Sequence, residues 1–234
     1  MNSDFLNNKN FEKGLADYFY LIDRNYPEKG ALKLVGDRYR LTTVFRTILY
    51  RGVSSSESSL KRMNRLVDIP SEELIIDGYN ILFTLLNYRL GRFVFISTDS
   101  LCRDAGSLFG KIRNEKLFNE CLSVLIEYLA DFKDVVLTIY LDAPVSFSRN
   151  HKYQIEELLK YNKLEGKVHV VRSADMKIKE HTSGLFATSD SEIIDQCTNP
   201  ILDISRHIIE QRYKSELCNL RAKLVLLSNA NKLR

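Results

Sequence analysis

Four aspartates each follow closely on the end of a short apolar run. Leu74-Ile75-Ile76 leads into Asp77, and the run 135–141 (VVLTIYL) into Asp142. The run 168–171 (VHVV) leads through Arg172-Ser173-Ala174 into Asp175, and Leu185-Phe186-Ala187 through Thr188-Ser189 into Asp190. Carboxylates gathered in one place repel one another unless a cation sits among them. Hard divalent ions with oxygen ligands, Mg²⁺ or Mn²⁺, are the usual occupants. Such an ion shields the charge of a phosphodiester and activates water for in-line attack. The same aspartates would also serve as turn formers and helix N-caps, so their positions alone leave a structural role open.

Gathering them requires a particular arrangement of elements. From Glu73 onward the apolar runs alternate with stretches of helical spacing, 114–131 (Leu117, Cys121, Val124, Leu125, Tyr128) and 152–162 (Ile155, Leu158, Leu159). Strands alternating with helices predict an α/β domain with a mainly parallel sheet flanked by helices. In an open parallel sheet every strand ends on one edge, and ligands bind just outside the carboxyl ends. The four aspartates would then share one rim.

Before this domain the pattern is helical. Phe11, Leu15, Tyr18, Phe19 and Ile22 fall on one helix face, and Asn25-Tyr26-Pro27 stops it. A second helix is expected over 31–35, and a third running to Tyr50 with Val44, Phe45, Ile48 and Leu49 apolar. The run Ser54-Ser55-Ser56-Glu57-Ser58-Ser59 reads as a linker by composition. The expected organisation is a small all-helical domain over 1–70, an α/β domain over 71–204, and a long basic helix within 205–234.

The composition is that of a globular protein. The chain has 234 residues, 44% hydrophobic and 27% charged, which excludes a disordered chain or a coiled-coil rod. No apolar run approaches the roughly 20 residues of a membrane span, and the N-terminus has no apolar signal region. Cys102, Cys121, Cys197 and Cys218 form no C-x-x-C pair, as expected of reduced thiols in a cytoplasmic protein. Net charge is +4, distributed as +3 over 1–72, −4 over 73–204 and +5 over 205–234. Basic ends around an acidic middle suit a protein that grips a polyanion and keeps carboxylates at the chemistry, although solvated helix faces give the same balance.

The segments around the aspartates are also recognisable. Ile75-Ile76-Asp77-Gly78-Tyr79-Asn80 resembles the opening strand of the PIN-like nuclease superfamily, in the NYN branch where D-G-Y-N is a hallmark. Tyr140-Leu141-Asp142-Ala143 is similar to its second acidic strand end, Ser173-Ala174-Asp175 to its third, and Ala187-Thr188-Ser189-Asp190-Ser191-Glu192 to its T-S-D element. The stretch ALKLVGDRYRLTTVFRTILYRGV resembles the domain of unknown function 434, which precedes a PIN-like domain in an uncharacterised archaeal and bacterial family. The resemblance implies a metal-dependent, ribonuclease-type fold. Asp77, Asp142 and Asp190 match the acidic metal-binding and catalytic positions. Asp175 and Glu192 would join them as metal ligands, and Asn80 would orient substrate or water. Asp195 is a weaker addition.

Other residues could contact a substrate. The segment 99–113 (DSLCRDAGSLFGKIR) reads as a loop leading into a helix, with Arg103, Asp104 and Arg113 available to phosphates and two glycines permitting close backbone approach. Its GSLFGKI is no P-loop, since the glycine spacing is one residue short and Ile112 follows the lysine. After Asp142, the loop 144–151 offers Ser146 and Arg149, while His151 has no visible orienting partner. Arg38, Tyr39, Arg40, Arg46 and Arg51 interleave cations with aromatics, as nucleic-acid surfaces do. Equally, Asp37 could pair with Arg40, and Tyr39 could be core.

The expected function is Mg²⁺- or Mn²⁺-dependent phosphodiester hydrolysis, of RNA. Two rivals stand beside it. One is a non-catalytic RNA-binding adaptor with the same fold; the other is a phosphohydrolase or transferase acting on a small phosphorylated molecule. The basic C-terminal helix is open to three roles: packing on the sheet, binding nucleic acid, or forming a homodimer.

Overall fold

The computed structural model describes residues 6–70, 73–106, 112–132 and 134–232. Four helices come first: α1 (Lys9–Ile22), α2 (Glu28–Arg38), α3 (Thr43–Gly52) and α4 (Ser56–Met63). Then follow β1 (Leu66–Val67), β2 (Glu73–Asp77), α5 (Gly78–Arg89), β3 (Val94–Ile96), β4 (Cys102–Asp104), α6 (Glu115–Leu129), β5 (Val136–Asp142) and α7 (Ser148–Tyr161). The chain continues through β6 (Gly166–Val171), α8 (Ala174–Lys179), β7 (Leu185–Ala187), α9 (Ser191–Gln196), β8 (Ile201–Leu202) and α10 (Ile204–His207). A π-helical turn (Ile208–Arg212), β9 (Cys218–Asn219) and α11 (Leu220–Lys232) complete it. Among the described residues, no helix is long and apolar enough to cross a membrane.

Two compact units divide the chain. The α/β unit is drawn from residues 65–90 and 107–214, the helical unit from 1–64, 91–106 and 215–234.

The α/β unit is built on a six-stranded sheet in the order β1-β8-β7-β2-β5-β6. Every pairing is parallel, as the alternation of strands and helices predicts. Leu74, Ile75 and Ile76 of the central strand β2 are fully buried. That is the continuous apolar reading of a parallel strand covered on both faces. Ile75, Tyr140 and Phe186 project from β2, β5 and β7 to one face, where they pack with Ala174 and Ile178 of α8 and Ile193 of α9. By the two-residue period of strands, Asp77 and Asp142 point to that same face. The chain runs from β2 out through β5 to β6, then returns to β7 on the other side of β2. Strand order therefore reverses between β2 and β7, the place where open α/β sheets bind ligands.

The helical unit buries the predicted face of α1. Phe11, Leu15, Tyr18 and Ile22 join Val35, Phe45, Ile48 and Leu49, together with Phe95 of β3 and Leu220 and Leu224 of α11. A three-stranded sheet, β4-β3-β9, belongs to this unit, with β4 antiparallel and β9 parallel to β3. The close approach of α3 requires Gly52, because a Cβ there would lie 2.5 Å from the Phe95 ring and 2.6 Å from Leu220.

Several local expectations differ from the structure. The serine run is no linker: Ser55 Oγ accepts from Ser58 N at 3.2 Å and caps α4, in which Lys61 pairs with Glu57 at 2.7 Å. Of the segment 99–113, Cys102–Asp104 form the strand β4 rather than a loop, and residues 107–111 lie outside the described residues. The long basic helix is interrupted by the π-helical turn, by Lys214 with φ +49° and by β9, whose pairing to β3 draws the chain into the helical unit. The helices of 1–70 thus share their core with segments that come much later in the chain.

Candidate functional site

At the carboxyl edge of the sheet, Asp77 ends β2 and caps α5. It is 4% exposed. Its Oδ1 accepts from Asn80 N at 3.3 Å and its Oδ2 from the Thr188 hydroxyl at 3.1 Å. The turn is tight because residue 78 is glycine. A Cβ at Gly78 would lie 2.6 Å from Leu141 and 3.0 Å from the Tyr140 carbonyl oxygen. Asn80 Oδ1 in turn accepts from the backbone N–H of Ser189 at 2.9 Å and from its hydroxyl at 3.0 Å. Asp190 N donates to Thr188 Oγ1 at 3.2 Å. The connections after β2 and β7 are thereby stitched together across the reversal of strand order.

The other carboxylates reach the same face from neighbouring elements. Asp142, at the end of β5, accepts from Ala174 N at 2.9 Å and so meets the first residue of α8. Asp175 lies in the first turn of that helix. Asp190 caps α9, accepting from Glu192 N at 2.7 Å and Ile193 N at 3.3 Å. Glu192 is exposed and paired with Lys179 at 2.8 Å, which pulls its carboxyl below the usual range.

These groups act on one another. Burial first, and then the charge of Asp175, push the Asp77 carboxyl up to about 8; Asp142 adds to the rise, while Asn80 N–H and Thr188 oppose it. Asp175 is raised by burial and then by Asp190, Asp142 and Glu192, against Lys179. As placed, each of Asp77, Asp142 and Asp190 commits an oxygen to a backbone N–H. Among the described residues, no three His, Cys, Asp or Glu side chains stand close enough to hold one metal ion. The capping role left open above is thus occupied, and mutual repulsion operates alongside it.

The remaining expected substrate contacts are dispersed. Ser146 is half-buried and Arg149 exposed in the loop and first turn after β5, and Arg113 is exposed before α6. Arg103 and Asp104 lie in β4 of the helical unit. The Arg103 guanidinium is buried and forks onto Asp99 at 2.7 and 2.8 Å, and Asp99 also holds Arg62 at 2.7 Å. Asp104 pairs with Arg51 at 3.3 Å and accepts from Gly106 N at 2.8 Å. In the same unit Arg46, rather than Arg40, takes Asp37, at 2.8 Å. Arg38 lies 3.9 Å from Asp17, Tyr39 donates its hydroxyl to Asp17 at 2.5 Å, and Arg40 is exposed with φ +49°.

His151 has the orienting partner that its local sequence does not reveal. Its Nδ1 is 2.8 Å from the Tyr79 hydroxyl, and its Nε2 lies 3.7 Å from Glu115. Burial pulls the imidazole below its ordinary range, with Glu115 opposing. Thr188 and Ser189 also escape a reading centred on charged residues. Their signal was the T-S-D element itself, where two hydroxyls precede the acid. Phe147 is a further omission, an exposed ring in the loop after Asp142.

Residues 66–207 match the family model described as Domain of unknown function (DUF5616), and residues 10–65 match Protein of unknown function (DUF434). Uncharacterized protein MJ0935 of Methanocaldococcus jannaschii is 30% identical over 203 residues, which make up 85% of this chain and 96% of that protein. No solved structure matches the chain.

Proposed function

Starting from a chain that belongs to the DUF5616 family and carries an N-terminal DUF434 domain, we propose that the α/β unit hydrolyses phosphodiesters, with RNA as substrate and Mg²⁺ or Mn²⁺ as cofactor. One observation carries the reading. Asp77, Asp142, Asp175 and Asp190 come to one face at the carboxyl edge of a parallel sheet, at the reversal of strand order, and their shared charge raises the proton affinity of Asp77 and Asp175. The D-G-Y-N and T-S-D segments, similar to those of PIN-like nucleases, support it.

The donor set suits a hard divalent ion. All five side chains offer oxygen, and like charges gathered on one face favour a cation in their midst. Asp77, Asp142 and Asp190 would hold the ion, with Asp175 and Glu192 beside them, by turning in from their present capping positions, in which no three of them close round one ion. When bound, it supplies charge neutralisation at the phosphodiester and activation of water. The protein's own groups do the rest. Thr188 and the Asn80 N–H fix both oxygens of Asp77, Ser189 fixes the Asn80 amide, and Arg149 stands at the rim to meet phosphate. Arg103 lends no support to a small-phosphate pocket, because its guanidinium is committed to Asp99.

The test is incubation of mixed structured and single-stranded RNA with Mn²⁺, Mg²⁺ or EDTA, beside the Asp77→Asn/Asp142→Asn double variant. Cleavage that needs the metal and disappears in the variant is the expected result. Binding without cleavage in any metal would establish the adaptor instead, and neither binding nor cleavage would turn the search to small phosphorylated substrates.

A further inference from the structure

Phe147 breaks three local rules at once. It is 65% exposed although it is a large apolar ring. Its backbone is left-handed, with φ +63° and ψ +18°, a conformation that Gly, Asn and Asp adopt far more readily. It also occupies the N-cap position of α7 without a side-chain capping bond, where Ser, Thr, Asp or Asn would satisfy a free N–H. Costs that accumulate at one residue beside a candidate site point to a use for that residue.

Backbone hydrogen bonds pin the turn that carries the ring. Val145 N donates to the Asp142 carbonyl at 3.2 Å, and Ser148 N to the Val145 carbonyl at 3.2 Å. Val145 and Ser148 are buried. Phe147 O accepts from His151 N at 3.0 Å, which starts the helix. The residue thus projects from a pinned turn that begins at Asp142. Arg149 is exposed one step along α7, and Arg172 is exposed just past the end of β6, the strand paired with β5 through Asp142 and Val171.

An exposed aromatic ring on the connection after β5, with exposed Arg149 on the same connection and exposed Arg172 on the next one, beside carboxylates proposed to act on phosphodiesters, is the combination that holds single strands by base stacking and phosphate contact. We infer that Phe147 is a stacking platform for an unpaired nucleobase, which makes single-stranded RNA the substrate class. The inference rests on the nuclease reading of the site. A base within a duplex is already stacked on its neighbours and offers no free face to the ring.

Binding of a fluorescently labelled single-stranded uridine decamer is measured in EDTA and again in Ca²⁺, with the duplexed decamer alongside. Phe147→Ala is expected to weaken single-strand binding about 10-fold or more and to leave duplex binding unchanged. The chain contains no tryptophan. Phe147→Trp therefore places a lone indole fluorophore at the platform, which should keep wild-type affinity and be quenched as an unlabelled decamer saturates. Phe147→Asn tests for a structural role: it should fold at least as stably as wild type yet bind as weakly as the alanine variant. Three results would each overturn the platform alone: wild-type affinity in Phe147→Ala, indole fluorescence of Phe147→Trp that stays unquenched at saturation, or a loss of stability matching the loss of binding. Wild-type protein that binds no RNA under either condition would overturn platform and nuclease reading together. Phe147-dependent binding with no cleavage in any metal would overturn only the nuclease reading.

Discussion

Thr188 donates its hydroxyl to Oδ2 of the buried Asp77 carboxylate at 3.1 Å, across 111 residues of sequence and across the reversal of strand order. A hydroxyl can rotate, donating to the ionised carboxylate and accepting from the acid. Valine at this position keeps the shape and removes the donor. Thr188→Val should therefore cost more stability at pH 9, about 1.5–3 kcal/mol for a hydrogen bond to a charged group, than at pH 6, where about 1 kcal/mol is at stake. Urea unfolding of metal-free protein at the two pH values checks this.

The Asp77 carboxyl titrates at about 8 in the folded protein, against about 3.9 for an unfolded aspartate. Folding then takes up a proton between those values. The contribution of this group to the stability of the metal-free protein should be full below pH 4 and decline as pH rises toward 8, by up to about 1.4 kcal/mol per pH unit. Asparagine has no proton to lose. Asp77→Asn should flatten the decline and leave the variant more stable than wild type at pH 8, as read from urea midpoints across the range.

Asp99 behaves oppositely. Burial alone would raise its carboxyl, but the guanidinium of Arg103, then that of Arg62, with the Ser97 hydroxyl, hold it well below the usual range. Its contribution to the helical unit is present above about pH 4 and lost as pH falls below. Asp99→Asn leaves two buried guanidiniums short of charge and should cost about 3–5 kcal/mol at pH 7, less at pH 3. Denaturant titrations at both pH values measure the difference.

Gly78→Ala forces a methyl group against Leu141 and the Tyr140 carbonyl oxygen. Overpacking of this kind should cost about 1–3 kcal/mol and shift the start of α5, and with it Asp77 and Asn80. A thermal melt reads the first effect. Mn²⁺ affinity by calorimetry reads the second and should fall.

The sheet and the positions of Asp77, Asp142, Asp175 and Asp190 were legible because their signals are local. β2, β5 and β7 are largely buried apolar runs with an acid at or soon after their ends, β6 is a half-exposed edge strand followed by Asp175 in α8, and parallel strands bring such ends to one edge without further information. Tyr79 with His151, or Asn80 with Ser189, could not be read that way. Each pair joins residues from distant elements through uncharged groups that no spacing marks. Arg103 misled for a related reason. Its partner Asp99 is four residues away, close enough to be seen, but only burial in β4 turns that pair from a surface contact into a core one. The C-terminal break was hidden because strand β9 is two residues long and is defined by its partner β3, not by its own composition.

The interleaving of the two units orders their assembly on the ribosome. A nascent chain exposed as far as Lys214 holds all of the α/β unit, yet β3 still lacks its parallel neighbour, and the core around Phe95 lacks Leu220 and Leu224. The first helix made must wait for α11, to which it is tied by Lys223 and Glu12 at 2.5 Å. Premature termination near residue 214 would therefore spare the aspartates and release a protein with an open, apolar helical unit, a ready substrate for chaperones and proteases.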